Sequence, residues 1–114
     1  QWTPHEVMHA TTHLKGISGA VLSTRDGLLI ASALPPDLVG EKVAAFIPQM
    51  FGRMTQYAKE LGFGGSGQFT FLSEGVAFQI FSVADGFFAV IGRSGETLPR
   101  IQLAAIAARL SQPV

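Results

Sequence analysis

The chain has no cysteine, which removes disulfide frameworks, thiol catalysis and cysteine-ligated zinc, and fits a cytoplasmic protein. Charge is scarce as well: charged residues make up 14% of the chain, and eight basic side chains cancel eight acidic ones. With no bulk field, neither nucleic acid nor an anionic membrane is expected as a partner. No apolar run approaches the ~20 residues of a membrane-crossing helix, and the start lacks a basic stretch followed by a hydrophobic one. Membrane insertion is therefore not expected. The chain opens at Gln1 rather than at methionine and reads as one domain over residues 1–114, processed or cut from a longer polypeptide.

Apolar surface, by contrast, is abundant. Hydrophobic residues reach 47%, nine of them phenylalanine, and mean hydropathy is positive. In a chain without a spanning segment this predicts apolar surface hidden in a partner contact, and self-association is expected.

Two Asp-Gly pairs, Asp26-Gly27 and Asp85-Gly86, each sit between apolar runs. Aspartate and glycine tolerate positive φ, so each pair predicts a two-residue type I′ hairpin loop. The first joins strands at residues 19–25 and 28–33, the second joins 76–84 to 87–93. A further strand at 68–73 pairs with 76–84 through Glu74-Gly75. Phe78 and Ile80 alternate with Phe81 and Val83, and Phe87 and Ile91 with Phe88 and Val90, so both faces of this sheet need cover.

Three helices are available for that purpose. The first, over residues 4 to 13 or 14, opens with Thr3 as N-cap, Pro4 at the first position, Glu6 closing a capping box and Trp2 stapled to Val7. After the Pro35-Pro36-Asp37 turn, with Asp37 or Gly40 as cap, a long helix spans about 41–61. Its apolar stripe of Val43, Phe46, Ile47, Met50, Phe51, Met54, Tyr57, Ala58 and Leu61 exceeds the ~100° arc that one sheet face requires, so two contacts are expected. Pro48 should bend this helix rather than end it. The last helix covers about 98–111, with Pro99 in its first turn.

Two motifs invite enzymatic readings. His5-Glu6-Val7-Met8-His9 is a literal H-E-x-x-H, the pattern in which two histidines share a zinc and the glutamate acts as base. It lies at the extreme start, Glu6 is engaged in the capping box, and His13 follows at four residues rather than at a metzincin spacing. A zinc hydrolase is thus a remote alternative, and no metal is assigned. Residues 62–67, Gly-Phe-Gly-Gly-Ser-Gly, match G-x-G-x-x-G but follow a helix and open a strand. That is the reverse of the dinucleotide-binding context and reads better as a helix C-cap and loop. Ser18, Ser66 and Ser94 lie near glycines without completing a nucleophile elbow.

The order is helix, two strands, helix, three strands, helix. With the Gly19-Ala20-Val21-Leu22 strand, Arg25-Asp26-Gly27, the Leu28–Ser32 strand, the long helix and the Asp85-Gly86 hairpin, the chain resembles the Roadblock/dynein light chain family, especially its bacterial members that bind Ras-like small GTPases. The resemblance implies an α+β sandwich of profilin-like topology: a five-stranded antiparallel sheet in order 2-1-5-4-3, the long helix on one face and two helices on the other. It implies dimers with a scaffolding or regulatory role toward small GTPases, no catalytic centre and no cofactor.

On that basis Phe46, Gln49, Met50, Arg53, Gln56 and Tyr57 of the long helix are the expected partner-binding residues. Phe69, Phe71, Leu72 and Met54 are the expected homodimer contacts. Gln49, Arg53 and Gln56 share one helix surface at three- and four-residue spacings. Arg53 is not expected to act as an arginine finger, because members of this family are thought to reposition the GTPase's own groups. The strand at 68–73 has no proline, lysine or arginine to block edge pairing. The edge at 28–33 is as uncharged, so the choice between them follows the resemblance. The alternative function is a small-ligand sensor of PAS or longin-like type, with phenylalanines lining its pocket.

Overall fold

A computed structural model describes residues 2–65 and 67–112. The elements run α1 (Pro4–Thr11), β1 (Ile17–Thr24), β2 (Leu29–Ala33), α2 (Gly40–Glu60), β3 (Gln68–Ser73), β4 (Val76–Val83), β5 (Gly86–Gly92) and α3 (Arg100–Leu110). The strands form one antiparallel sheet in the order β2-β1-β5-β4-β3, as the resemblance implies.

Strand alternation builds two cores. Ala20, Leu22, Phe81, Val83, Phe88 and Val90 face Met8 of α1 and Leu103 and Ala107 of α3. Val21, Ile80, Phe87 and Ala89 face Ala44 and Ile47 of α2. Phe88 is fully buried and its ring stacks on Phe81 at 5.7 Å. Truncating such a ring costs about 3–5 kcal/mol. The phenylalanines that the sensor reading placed around a ligand thus mostly pack the sheet.

The hairpins depart from the expected geometry. At Asp26-Gly27, Gly27 has φ +87°, but Glu74 is the one non-glycine with positive φ among the described residues, so Asp26 does not adopt the type I′ conformation. Gly27 N donates to the Thr24 carbonyl at 3.1 Å, and Thr24 N donates to the Leu28 carbonyl at 2.9 Å. This is a three-residue loop in which Arg25 lies outside the ladder and glycine alone supplies positive φ. At Asp85-Gly86 neither residue has positive φ, and Gly86 is in the ladder opposite Val83, so Ala84-Asp85 makes the turn. A Cβ on Gly86 would run into the Ser23 carbonyl oxygen. Close backbone approach, not turn conformation, requires that glycine. The type I′ signature of two positive φ values occurs at Glu74 (φ 50°) and Gly75 (φ 83°), between the paired Ser73 and Val76.

Helix ends follow local chemistry with three corrections. The capping box is present: Thr3 Oγ1 accepts from Glu6 N at 3.2 Å, and Glu6 Oε1 accepts from Thr3 N at 3.0 Å. Residues 12–14 tighten into three-residue bonds, His13 N to the Ala10 carbonyl and Leu14 N to the Thr11 carbonyl, which ends the regular helix early. The N-cap of α2 is Val39, without a side-chain bond, rather than Asp37 or Gly40. Gly40 begins the helix instead, where a Cβ would press on Ser32 Oγ at 2.9 Å. α2 continues through Pro48, and the Gly27 turn packs against Ala44, Ala45 and Pro48. Its C-terminus closes in a Schellman motif, with Gly62 N donating to Lys59 and Phe63 N to Ala58. The expected C-cap at the glycine-rich segment is thereby present, while Ser66 within it lies outside the described residues. α3 starts at Arg100, with Pro99 as its N-cap.

Candidate functional site

α2 lies over β1, β2 and β5, which leaves the β3 side of the same sheet face open. Only Ala44 and Ile47 of its 21 residues are buried. Phe51 spans from the centre of the sheet toward β3, its ring 5.0 Å from Phe87 and 4.9 Å from Phe69. Along a helix turning 100° per residue, Phe46, Met50, Met54 and Tyr57 fall on the flank of this inner face, while Gln49, Arg53 and Gln56 lie further outward. The wide stripe therefore divides into an arc that closes the core and one left bare, since Phe46 and Tyr57 are 50% and 52% exposed.

The bare arc forms one wall of an apolar groove of about 340 Å³. Leu38, Val43, Phe46 and Met50 line the helix side, and Phe71, Ser73, Val76, Phe78 and Ile91 line the sheet side. The Phe71 and Phe78 rings lie 5.2 Å apart across β3 and β4. Phe46 and Met50, expected at a partner site, thus share one concavity with Phe71, expected at a dimer contact. Phe69 is half-buried under Phe51, and Met54 is exposed farther along the helix. Strand alternation places Leu72 on the opposite sheet face from Phe71, and it is exposed. Gln49, Arg53 and Gln56 are exposed, and Arg53 has no hydrogen-bond or ion-pair partner among the described residues.

Phe78 and Ile91, which the alternation expects only to pack under a covering layer, are groove residues, as is Val76 at the start of β4. Alternation identified their face, but nothing local showed that the helix would leave them partly uncovered. Arg25, which the sequence places only at a strand end beside the Asp26-Gly27 turn, has a further role. Its guanidinium donates to Ser82 Oγ and the Val83 carbonyl, both at 3.0 Å, and lies 5.2 Å from the Phe87 ring centroid. It ties the two hairpin ends together beside the Phe51–Phe87 contact.

The H-E-x-x-H segment forms no comparable centre. Glu6 closes the capping box, and His13 Nδ1 lies 3.0 Å from the His9 carbonyl, with the two rings edge to face at 5.0 Å. Among the described residues no group of three His, Cys, Asp or Glu is placed to hold a metal ion. The Thr3 backbone N–H, then the Thr3 hydroxyl, hold the Glu6 carboxyl below its usual pKa. A depressed folded-state pKa stabilises the fold at pH values above the unfolded pKa, and the contribution disappears as pH falls through the folded one. Glu6→Gln is therefore expected to lower the melting temperature at neutral pH, with the difference from wild type closing in acid. Paired thermal melts across pH check this.

Comparison with known proteins follows the same outline. The Roadblock/LC7 domain model matches residues 5–93. The chain belongs to the Roadblock/LC7 domain family. Among solved structures, this domain is similar to Myxococcus xanthus MglB, with a TM-score of 0.81 and 17% identity over 94% of this chain and 90% of that one. A Roadblock/LC7 domain from Streptomyces avermitilis matches with a TM-score of 0.76 and 18% identity, covering 96% of this chain and 92% of that one. The gliding protein MglB of Thermus thermophilus has a TM-score of 0.72 and 16% identity, covering 97% and 93%. At these identities the likeness is one of fold. A search of curated proteins found no match. Among the described residues of this Roadblock/LC7 domain, no helix is long and apolar enough to cross a membrane.

Proposed function

We propose that this Roadblock/LC7 domain is a non-catalytic, cytoplasmic homodimeric interaction module that binds a Ras-like small GTPase across its α2 face. The observation that carries the reading is the apolar groove between α2 and β3, with the exposed Gln49, Arg53 and Gln56 further outward on the same helix. Aromatic, methionine and arginine side chains around an apolar centre are the composition of protein interfaces.

The two sheet edges are not equivalent in this respect. On β2 the register slips, with Leu22 opposite Ala31 and Ser23 opposite Leu29, so Ile30 is bulged and unpaired. Such a bulge disturbs an edge and disfavours strand addition. β3 pairs with β4 without interruption from Gln68 to Ser73. Its outer side is therefore the better template for pairing with a second copy, which would bring two α2 helices together and cover part of the groove.

The GTPase assignment rests on the family resemblance, and Arg53 is its specific element. Arg53→Glu is expected to leave folding and dimerisation intact, since an exposed charge change usually shifts stability by no more than about 0.5 kcal/mol. Calorimetry with a Ras-like GTPase identified by pull-down should show roughly tenfold weaker binding, from the loss of one interfacial charge contact. Unchanged affinity in a dimeric variant would remove Arg53 from the site.

A further inference from the structure

On the sheet face opposite α2, the first and last helices do not close against each other. A cleft of about 370 Å³ remains between them, lined by Trp2, Val7, Ala10, Ile106, Arg109 and Leu110. That volume lies within the ~300–1,000 Å³ typical of small-molecule sites. We propose that this cleft binds a small amphipathic monocarboxylate, its hydrocarbon body between α1 and α3 and its carboxylate on Arg109.

The lining dictates this class of ligand. Five of the six side chains are apolar, and Arg109 is the one ionisable group among them. The Arg109 guanidinium, exposed at the rim of the cleft, has no hydrogen-bond or ion-pair partner among the described residues, and α3 contains no carboxylate. The carboxylate of α1, Glu6, is engaged by the Thr3 N–H. A planar guanidinium at the wall of an apolar cleft pairs with a carboxylate through charge-assisted hydrogen bonds, whereas an alcohol gains less and an amine is repelled. Trp2, 59% exposed despite standing in the hydrophobic-staple position, supplies a large flat surface that a hydrocarbon chain would cover. The site stands apart from the α2–β3 groove, and three of its residues belong to α3, beyond the residues that match the family model.

Trp2 is the single tryptophan of the chain, so its emission reports on the cleft directly. Titration with decanoate below its micelle concentration is expected to produce a saturable blue shift. Decanol and decylamine should bind about three- to fivefold more weakly, the loss expected for one ion pair with an exposed guanidinium. Arg109→Gln should weaken decanoate by a similar factor with an unchanged melting temperature, and Ala10→Phe, which fills the cleft, should abolish the shift. The proposal is overturned by the absence of a saturable shift, by equal binding of decanoate and decanol, or by wild-type binding in folded Ala10→Phe. Should Arg109→Gln fail to fold, the comparison of decanoate with decanol and decylamine on the unaltered protein still decides the role of the guanidinium.

Discussion

Gly86→Ala is expected to lower the melting temperature by on the order of 10–20 °C, the equivalent of about 3 kcal/mol in a domain of this size. Gly86 pairs with Val83 on one side and Thr24 on the other, at the start of the central strand β5. The added methyl would overlap the Ser23 carbonyl oxygen and lie 3.2 Å from Thr24 Cα, so the obstruction is backbone and cannot swing away. Relief requires β1 and β5 to separate, and these strands carry Val21, Phe87, Phe88 and Ala89 into both cores. Gly52 provides the contrast. It lies exposed within α2, and a Cβ there would meet nothing within 4 Å. Gly52→Ala should therefore stabilise the fold by roughly 0.5–1 kcal/mol through helix propensity. Thermal and urea unfolding of the two variants together separates steric exclusion from backbone freedom. A Gly86→Ala protein as stable as wild type would show that the sheet yields at this point.

Phe71→Lys is expected to convert the proposed homodimer into a monomer, raising its dissociation constant roughly 100-fold, as hot-spot truncations do. Phe71 lies on the edge strand whose pairing is uninterrupted, is 38% exposed, and lines the groove beneath α2. A lysine there places a charge in an apolar contact and, across a twofold axis, near its own copy. Because Phe71 also packs on Phe78, some loss of fold stability accompanies the change. Leu72→Lys avoids that complication, since Leu72 is 72% exposed and adds the same charge to the same edge. Light scattering at micromolar concentration, with circular dichroism to confirm folding, reads the outcome. Retention of the dimer in both variants would place the self-contact elsewhere.

Features governed by neighbours in sequence were legible before the structure. Thr3, Pro4 and Glu6 specify the start of α1 through bonds spanning three residues, and the alternation through Phe78–Val83 and Phe87–Ile91 specifies two buried sheet faces. The excess width of the α2 stripe likewise announced surface beyond the domain's own core. Of the candidate site, Phe46, Met50, Arg53 and Phe71 could be singled out one by one, but nothing local showed that Phe46, Met50 and Phe71 line one concavity with Arg53 outside it.

What only the tertiary structure decided depends on groups far apart in the chain. Asp26-Gly27 and Asp85-Gly86 are the same dipeptide, yet one becomes a three-residue loop against Pro48 and the other yields its glycine to the ladder. The difference lies in what approaches each backbone: α2 in the first case and the Ser23 carbonyl in the second. The two edge strands read alike in sequence, and the Ile30 bulge that distinguishes them exists only through pairing with β1. Where α2 lies across the sheet determines which phenylalanines are covered and which line the groove, and where α1 stops short of α3 leaves Arg109 beside an open apolar cleft. The sequence by itself determined the elements, their order and the faces they bury, because those follow from local periodicity and capping. The sites lie in the gaps between elements, and gaps are set by how rigid, already formed pieces pack against one another.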